Sequence, residues 1–265
     1  YKFDNNPHLI CFGECLYDLS KCEWRKTQMD DYITVKCNMT KEDFDNAETT
    51  EIINVMKEIF PNEEQYKYTI NTLSNILYKS YDECPYVYFG KNSKLVLIKL
   101  LKCCLGLYYA ELPLKILTNS STISNNLEIY NNRNAKIVCF YCDTYNKKLD
   151  IIRLKLLTKN TYGSCRIKNS NTFIRFDTMF TPIIIANNIN LNNITHPFIE
   201  RVIFNKFKVN INPNFTIEFE KLLSYQLMKL LIVTWEKNHK MQNGNYRIQI
   251  PECINDIRTL LLNKR

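Results

Sequence analysis

The stretch from Pro85 to Gly106, PYVYFGKNSKLVLIKLLKCCLG, constrains the fold of this chain more than any other. Its aromatic start, Tyr86–Phe89, has the composition of a short strand. A polar turn follows, and from Leu95 onward apolar residues recur at helical spacing until Gly106, a good helix stop. A strand, a tight polar turn and a helix form the geometry of a phosphate-binding loop, in which backbone N–H groups and a lysine meet an anion.

This loop departs from the phosphate-binding pattern G-x-x-x-x-G-K-[ST] at several positions. With Lys94 as the lysine, Ser93 replaces the second glycine and Leu95 replaces the hydroxyl that binds magnesium. The first glycine position is Tyr88, unless Gly90 takes that role in a loop two residues shorter. The alternative is an ordinary strand–turn–helix with a solvated lysine, so the rest of the chain has to distinguish the two.

The composition is that of a globular protein with excess positive charge. The 265 residues are 45% hydrophobic with a formal net charge of +8, which permits an anionic partner such as nucleic acid. Abundant Asn, Lys, Ile and Tyr with only 5 glycines match an A+T-rich coding sequence, which weakens the charge argument. No apolar run is long enough for a membrane span, and no signal peptide is recognised. The chain starts with Tyr1, which is compatible with a piece of a longer polypeptide.

The 11 cysteines are scattered without a disulfide framework and are predicted to be reduced. Cys139-x-x-Cys142 has the spacing of a redox or zinc pair, but residues three apart on a strand point to opposite faces. An irregularly spaced zinc site is a second alternative, with the ligands His8, Cys11, Cys15 and Cys22. Neither pattern is strong enough to predict a metal site.

Further elements are predicted on both sides of the central stretch. Before it, short strands are expected at Leu9–Phe12, Leu16–Leu19 and Asp30–Val35, and helices within 41–82. After it, a polar loop is expected at Asn119–Asn134. Helices are predicted at Leu149–Leu157, Phe215–Lys237 and Glu252–Arg265.

Two later runs, Lys136–Tyr141 and Pro182–Ala186, have the composition of buried strands. The first leads to Asp143, which is where a nucleotide enzyme holds magnesium, although a generic strand-end aspartate is the alternative. The second ends at Asn187 and Asn188, amides that can orient a water or contact a γ-phosphate, or simply form a turn.

Between these strands, residues Lys159 to Asp177 alternate basic and aromatic side chains around a polar turn and are predicted to form a β-hairpin. Such a surface suits a nucleic-acid strand, because phosphates attract positive charge and bases stack on aromatic rings. An amphipathic surface hairpin without a ligand is the alternative.

The order of these parts resembles the superfamily 3 helicases of viruses and plasmids, most closely the C-terminal half of the poxvirus-type primase-helicases of large DNA viruses. The similarity covers nearly the whole chain, including His8–Leu19, Leu105–Pro113 (LGLYYAELP) and the sequence leading into the hairpin. Lys94 stands twelve residues before Gly106, as the family's lysine does before its glycine, which favours Lys94 over Lys91.

The resemblance implies an α/β fold with a three-layer P-loop NTPase (AAA+-like) core and a mostly parallel sheet over residues 84–210. A mixed and helical segment over 1–83 precedes this core, and a helical segment over 211–265 follows it. The implied cofactors are ATP and magnesium, with a nucleotide loop formed by Gly90, Asn92, Ser93 and Lys94.

The resemblance also implies a role for each matching residue. Lys94 would grip the β- and γ-phosphates and Asp143 would hold the magnesium. Asn187 or Asn188 would sense the γ-phosphate, and Arg201 would reach the site of a neighbouring subunit. DNA would contact the basic residues Lys159, Arg166 and Lys168.

The implied partners are single-stranded or forked DNA, further copies of the chain in a homo-oligomer such as a hexameric ring, and a fused or associated primase. No membrane partner is implied, and the location is intracellular, in the host cytoplasm, at a viral replication site or in the virion.

Two hypotheses remain because the chain departs from the family's pattern at Ser93, at Leu95 and at Cys142, which replaces the family's glutamate. One is an ATP-driven helicase module; the other is a helicase-like domain without catalysis that serves as a DNA-binding or structural subunit.

Overall fold

The computed structural model describes residues 3–78, 86–89, 93–117, 124–142, 150, 153–154, 157, 163–166, 172–186, 203–207, 217–241 and 249–263. A three-stranded antiparallel sheet comes first, formed by β1 (Leu9–Phe12), β2 (Cys15–Asp18) and β3 (Glu23–Lys26). Three helices follow, α1 (Lys41–Asn46), α2 (Thr50–Ile59) and α3 (Glu63–Tyr78). The first two predicted strands and the helices within 41–82 are confirmed, whereas β3 was not predicted.

Seven further strands and four further helices are described. The strands are β4 (Tyr86–Phe89), β5 (Tyr109–Pro113), β6 (Ile137–Cys142), β7 (Gly163–Arg166), β8 (Phe173–Phe176), β9 (Thr181–Ala186) and β10 (Ile203–Lys206). The helices are α4 (Ser93–Leu105), α5 (Ser124–Asn131), α6 (Ile217–Met241) and α7 (Glu252–Asn263). No helix in these ranges is both long and apolar enough to cross a bilayer.

Five parallel strands form the central sheet, in the order β10–β4–β9–β6–β5. The side chains of β6 and β9 alternate between two hydrophobic cores, one on each face of this sheet. On the first face, Cys139 and Ile185 join a large core with α3, α4 and α6. On the second face, Phe140 and Ile184 join a smaller core with α5 and the β7–β8 hairpin. The predicted α/β fold with a parallel sheet is therefore confirmed.

Helix α6 ties the N-terminal segment to the first face of the sheet. Its buried side chains belong to the same core as Ile10 of β1 and Ile183 of β9. It also makes direct hydrogen bonds, because the Trp235 Nε1–H donates to the carbonyl of Leu19 at 2.8 Å and the Ser74 hydroxyl donates to the carbonyl of Leu231 at 2.8 Å. The described parts of the segments 1–83, 84–210 and 211–265 thus share one hydrophobic core.

The predicted strand at Asp30–Val35 is wrong. Met29–Asp31 forms a 3-10 turn, and the described residues that follow it contain no strand up to Val35. The Asp31 carboxylate accepts from the Gln28 N–H at 2.7 Å and pairs with the Arg25 guanidinium at 2.5 and 2.8 Å. Tyr32 then has a φ of +48°, a left-handed conformation that a strand does not contain.

The predicted loop at Asn119–Asn134 is also wrong in part, because Ser124–Asn131 forms helix α5. Its apolar side is narrow: Ile129 is buried, and Leu127 and Tyr130 pack against the second-face core. Three of its eight residues are asparagines, which hid this periodicity. The predicted helix at Leu149–Leu157 falls mostly outside the described residues, and residues 153, 154 and 157 are helical.

Gly106 is expected to be the most sensitive glycine among those described. Its φ is +55°, and an added Cβ would lie 2.8 Å from Asn38 Oδ1 and 2.9 Å from the carbonyl of Lys36. Gly106→Ala should lower the free energy of unfolding by about 2–3 kcal/mol, measured by urea denaturation. Gly13→Ala is the control, because φ there is +81° but nothing lies within 4 Å of the added Cβ. Equal losses in the two variants would contradict a steric role of Asn38 and Lys36.

Candidate functional site

Three neighbouring strands of the central sheet end in register at one edge. Phe89 of β4 pairs with Ala186 of β9, and Ala186 pairs with Cys142 of β6. Because the strands are parallel, this is the carboxyl edge, where ligands bind in open α/β sheets. The residues that follow these strand ends in sequence are the predicted site residues Gly90, Asn187 and Asp143.

Most of the predicted nucleotide and metal residues lie outside the described residues, namely Gly90, Asn92, Asp143, Asn187, Asn188 and Arg201. The backbone of Ser93 and Lys94 is described, and these are the first two residues of α4. Lys94 therefore lies in the first turn of a helix, where backbone N–H groups have no intrahelical acceptor and favour an anion.

The structure distinguishes between the two candidates for the first loop position. Tyr88 is only 1% exposed and lies within β4, paired with Ile185 on one side and Asn205 on the other. A residue in the middle of a three-strand ladder is not available to a loop. Since β4 continues to Phe89 and α4 starts at Ser93, only residues 90–92 connect them. Tyr88 therefore belongs to the sheet, and Gly90 remains a prediction that lies outside the described residues.

Strand β10 enters the sheet at the opposite edge. Its first residue, Ile203, pairs with Tyr86, the first residue of β4. Arg201 precedes β10 by two residues, a span of at most about 7 Å. The strand that follows Arg201 thus begins at the amino edge of the sheet, away from the carboxyl edge where the phosphate-loop helix begins.

The predicted hairpin at Lys159–Asp177 is confirmed as the antiparallel pair β7–β8. Its register pairs Ser164 with Arg175 and Arg166 with Phe173, so these four side chains share one exposed face. Phe173 is 62% exposed. The opposite face buries Cys165 and Phe176 in the second-face core.

Of the predicted DNA contacts, Arg166 lies on this exposed face, whereas Lys159 and Lys168 lie outside the described residues. Phe173 and Arg175 complete the same face but were not among the predicted contacts. The two-residue alternation from the buried Phe176 was the signal that could have placed them there. We call Arg166, Phe173 and Arg175 the hairpin face.

The cysteine patterns have no site to support them in the described part of the chain. Burial raises the pKa of Cys139 to about 12, which keeps this thiol protonated at neutral pH and unsuited to redox or metal chemistry. The described residues contain no group of three or more His, Cys, Asp or Glu side chains that could hold a metal ion, and these residues include His8, Cys11, Cys15 and Cys22.

The fold and the carboxyl edge together define an α/β protein with a parallel sheet covered on both faces. Parts of the chain are similar to known proteins. Residues 1–61 match the protein family described as D5 N terminal like. A stretch of 70 residues, 25% of this chain, is 34% identical to "Putative helicase 184R" of Invertebrate iridescent virus 6. That stretch covers 7% of the viral protein.

Two solved structures of the NrS-1 C terminal region have a similar fold. The A form apo structure aligns with a TM-score of 0.55 and a second apo structure with 0.54, each over 82% of this chain at 17% identity. This similarity concerns the fold alone. The chain spans 52% of each of these structures, so they extend well beyond the part that it matches.

Proposed function

We propose that this chain is a superfamily 3 helicase-like module of viral-type DNA replication, which couples ATP binding and hydrolysis to DNA unwinding. The observation that carries this proposal is the carboxyl edge of the sheet. There β4, β9 and β6 end side by side, and the chain continues from them into the loop before Lys94, into Asn187 and into Asp143. A phosphate-binding group, a strand-end amide and a carboxylate are the parts that phosphoryl transfer requires.

Each of these parts has a role in the proposal. The first turn of α4 and Lys94 bind the β- and γ-phosphates, because helix N-termini and a lysine both attract anions. Asp143 supplies a carboxylate ligand for magnesium, and Asn187 or Asn188 orients groups at the γ-phosphate. Magnesium would neutralise charge on the phosphates when bound. Leu95 offers no hydroxyl to it, so Asp143 is the main protein ligand on this reading.

DNA is proposed to bind on the second face of the sheet, at the hairpin face. Arg166 and Arg175 offer two guanidinium groups to phosphates, and Phe173, opposite Arg166 and two residues before Arg175, offers a ring for base stacking. The distribution of charge supports this side. Residues 1–83, whose described part packs on the first face, contain 16 acidic and nine basic residues, whereas residues 84–265 contain 11 acidic and 26 basic ones. DNA is thus repelled from the N-terminal segment and attracted to the rest of the chain, which includes the hairpin face.

Assembly into a homo-oligomeric ring is part of the proposal and involves Arg201. Since β10 begins at the amino edge, a residue just before it is poorly placed to reach the carboxyl edge of its own subunit. A residue at that position suits the site of a neighbouring copy instead. A fused or associated primase is the further partner in this proposal.

A second candidate function has specific observations in its favour. The connection between β4 and α4 has only three residues, Ser93 and Leu95 replace a glycine and a hydroxyl, and Cys142 replaces a glutamate. Loss of a positioned carboxylate costs about 10²–10⁴-fold in rate. A fold survives such changes, because function depends on the site. On this reading the chain binds DNA or assembles with partners without turning over ATP.

ATP binding by the purified chain with magnesium, measured by calorimetry, separates the two candidates. The wild-type chain is expected to bind with a Kd of about 10 μM, and Lys94→Ala to bind about 10- to 100-fold more weakly, because a charge-assisted contact with phosphate is lost. Lys91→Ala is the matched control, since it removes the same charge from the same loop. No binding by the wild type, or equal losses in both variants, would exclude the proposed nucleotide site and favour the second candidate.

A further inference from the structure

Asn205 is a polar residue at a buried position of an edge strand. Its side chain is only 2% exposed. Its Nδ2 donates to Thr69 Oγ1 at 2.7 Å, and its Oδ1 accepts from Gln65 Nε2 at 2.5 Å. Gln65 Nε2 also donates to the carbonyl of Lys206 at 3.0 Å, and Thr69 Oγ1 donates to the carbonyl of Gln65 at 2.8 Å. We call Asn205, Gln65 and Thr69 the Asn205 cluster.

The Asn205 cluster attaches β10 to helix α3, which makes further hydrogen bonds to other parts of the first-face core. Helix α3 crosses the first face of the sheet, and near its far end the carbonyl of Leu77 accepts from Lys136 Nζ at 2.7 Å, next to the start of β6. Between these two ends of α3, the Ser74 hydroxyl donates a hydrogen bond to α6. Helix α3 is therefore held in place by both contacts. The Asn205 cluster in turn fixes the position of β10 relative to α3.

The backbone pairing of β10 specifies its register only weakly. The strand has four residues, and among the described strands it pairs with β4 alone. A slide by two residues preserves the alternation of faces, so the hydrophobic pattern does not resist it strongly. Such a slide would bring Phe207, which now stacks on Tyr88, or Ile203 to the place of Asn205. The buried Thr69 hydroxyl would then lose the amide donor of Asn205, and the half-buried Gln65 would lose Asn205 Oδ1 as an acceptor.

We infer that Asn205 is a positioning residue, which fixes the register of β10 against β4 through the Asn205 cluster. A single buried asparagine sets register in coiled coils in the same way, by making the shifted arrangement leave polar groups unpaired. The register of β10 determines where the chain enters the amino edge of the sheet, and Arg201 lies two residues before that point. The consequence for Arg201 rests on the proposed function; the register itself does not.

The register is tested with the double variant Asn205→Leu/Thr69→Val. It replaces both partners by apolar side chains of similar shape, while Gln65 keeps its bond to the carbonyl of Lys206. The variant is expected to unfold at the wild-type urea midpoint, whereas amide hydrogen exchange in β10 should accelerate about tenfold relative to β9. The single variant Thr69→Ser keeps both the hydroxyl and Asn205, so its β10 should exchange at the wild-type rate. Wild-type protection of β10 in the double variant, or the same loss in Thr69→Ser, would overturn the inference.

The positioning role is tested by steady-state ATP hydrolysis of the same variants. The double variant should show a lower kcat with an unchanged KM, because the loop that binds ATP is untouched and only the group acting on the neighbouring subunit is displaced. Thr69→Ser should keep the wild-type kcat. An unchanged kcat together with faster β10 exchange, or a KM that rises with a lower midpoint, would overturn the positioning role. If the wild type binds no ATP, the proposed function fails by itself, and hydrogen exchange still decides the register.

Discussion

Trp235→Ala is expected to lower the free energy of unfolding by about 3–5 kcal/mol, the usual cost of removing a buried aromatic side chain. Trp235 is 6% exposed and stacks on Tyr78 with ring centroids 4.4 Å apart. Its indole N–H donates to the carbonyl of Leu19 at 2.8 Å, so the truncation also leaves this buried acceptor with only the weak thiol donor of Cys22 at 3.7 Å. Urea denaturation measures the loss. Val233→Ala, on the same helix but 48% exposed, should change stability by no more than about 0.5 kcal/mol.

Two further measurements define what Trp235 does. Trp235→Phe keeps an aromatic ring but removes the donor, and should cost about 1–2 kcal/mol. In Trp235→Ala, the remaining Trp24 on β3 reports on the N-terminal sheet, while circular dichroism reports on all helices. Because both regions share one core, the two signals should change at the same urea concentration. Separate transitions would mean that the N-terminal segment unfolds independently of α6.

A second contact in this region explains why α6 holds the N-terminal sheet firmly. The Tyr17 hydroxyl donates to Glu236 Oε1 at 2.5 Å, and Tyr17 is fully buried. Burial and then the neighbouring carboxylate raise the pKa of Tyr17 well above its ordinary value, so the phenol keeps its proton and remains a donor. Residues 1–61, which match the D5-type family, therefore complete their core with a helix from the other end of the chain.

The elements that were predicted correctly are those determined by the composition and spacing of their own residues. The continuous apolar runs at 137–141 and 182–186 indicate strands buried on both faces, and these form the centre of the sheet. The strand–turn–helix around Lys94 follows from composition and helical spacing alone. The 3-10 turn at Met29–Asp31 could not be predicted in this way, because the side chain of Arg25 on a neighbouring strand stabilises it.

In the candidate site, too, the parts set by local sequence could be predicted, whereas the parts set by long-range pairing could not. Once the sheet is parallel, the positions of the segments after β4, β6 and β9 follow from the common carboxyl edge. The pairing of β10 with β4 could not be derived, because it joins residues more than one hundred positions apart in sequence. The Asn205 cluster depends on that pairing and so was missed. In the hairpin, Phe173 and Arg175 were recognised as part of a basic and aromatic pattern, but their side of the hairpin is set by the burial of Phe176.

Removing both guanidinium groups of the hairpin face, as Arg166→Ala/Arg175→Ala, is expected to weaken binding of single-stranded DNA strongly. Each phosphate contact of a single strand adds about 0.7 to the slope of log K against log salt, so the slope should fall by about 1.4. Fluorescence anisotropy with a labelled oligonucleotide across a salt series measures both affinity and slope. Lys26→Ala/Lys36→Ala is the charge-matched control, since both lysines are exposed in the acidic N-terminal segment, on the first face. Its slope should remain that of the wild type.

Phe173→Ala separates stacking from charge on the same surface. Loss of base stacking costs about 1–3 kcal/mol for a single strand, roughly 5- to 150-fold in affinity, without changing the salt slope. Duplex DNA, whose bases are already stacked, should lose little affinity in this variant. A slope that is unchanged in the double arginine variant would place the DNA elsewhere on the protein. An equal loss for single-stranded and duplex DNA in Phe173→Ala would instead mean that the ring supports the hairpin and does not contact a base.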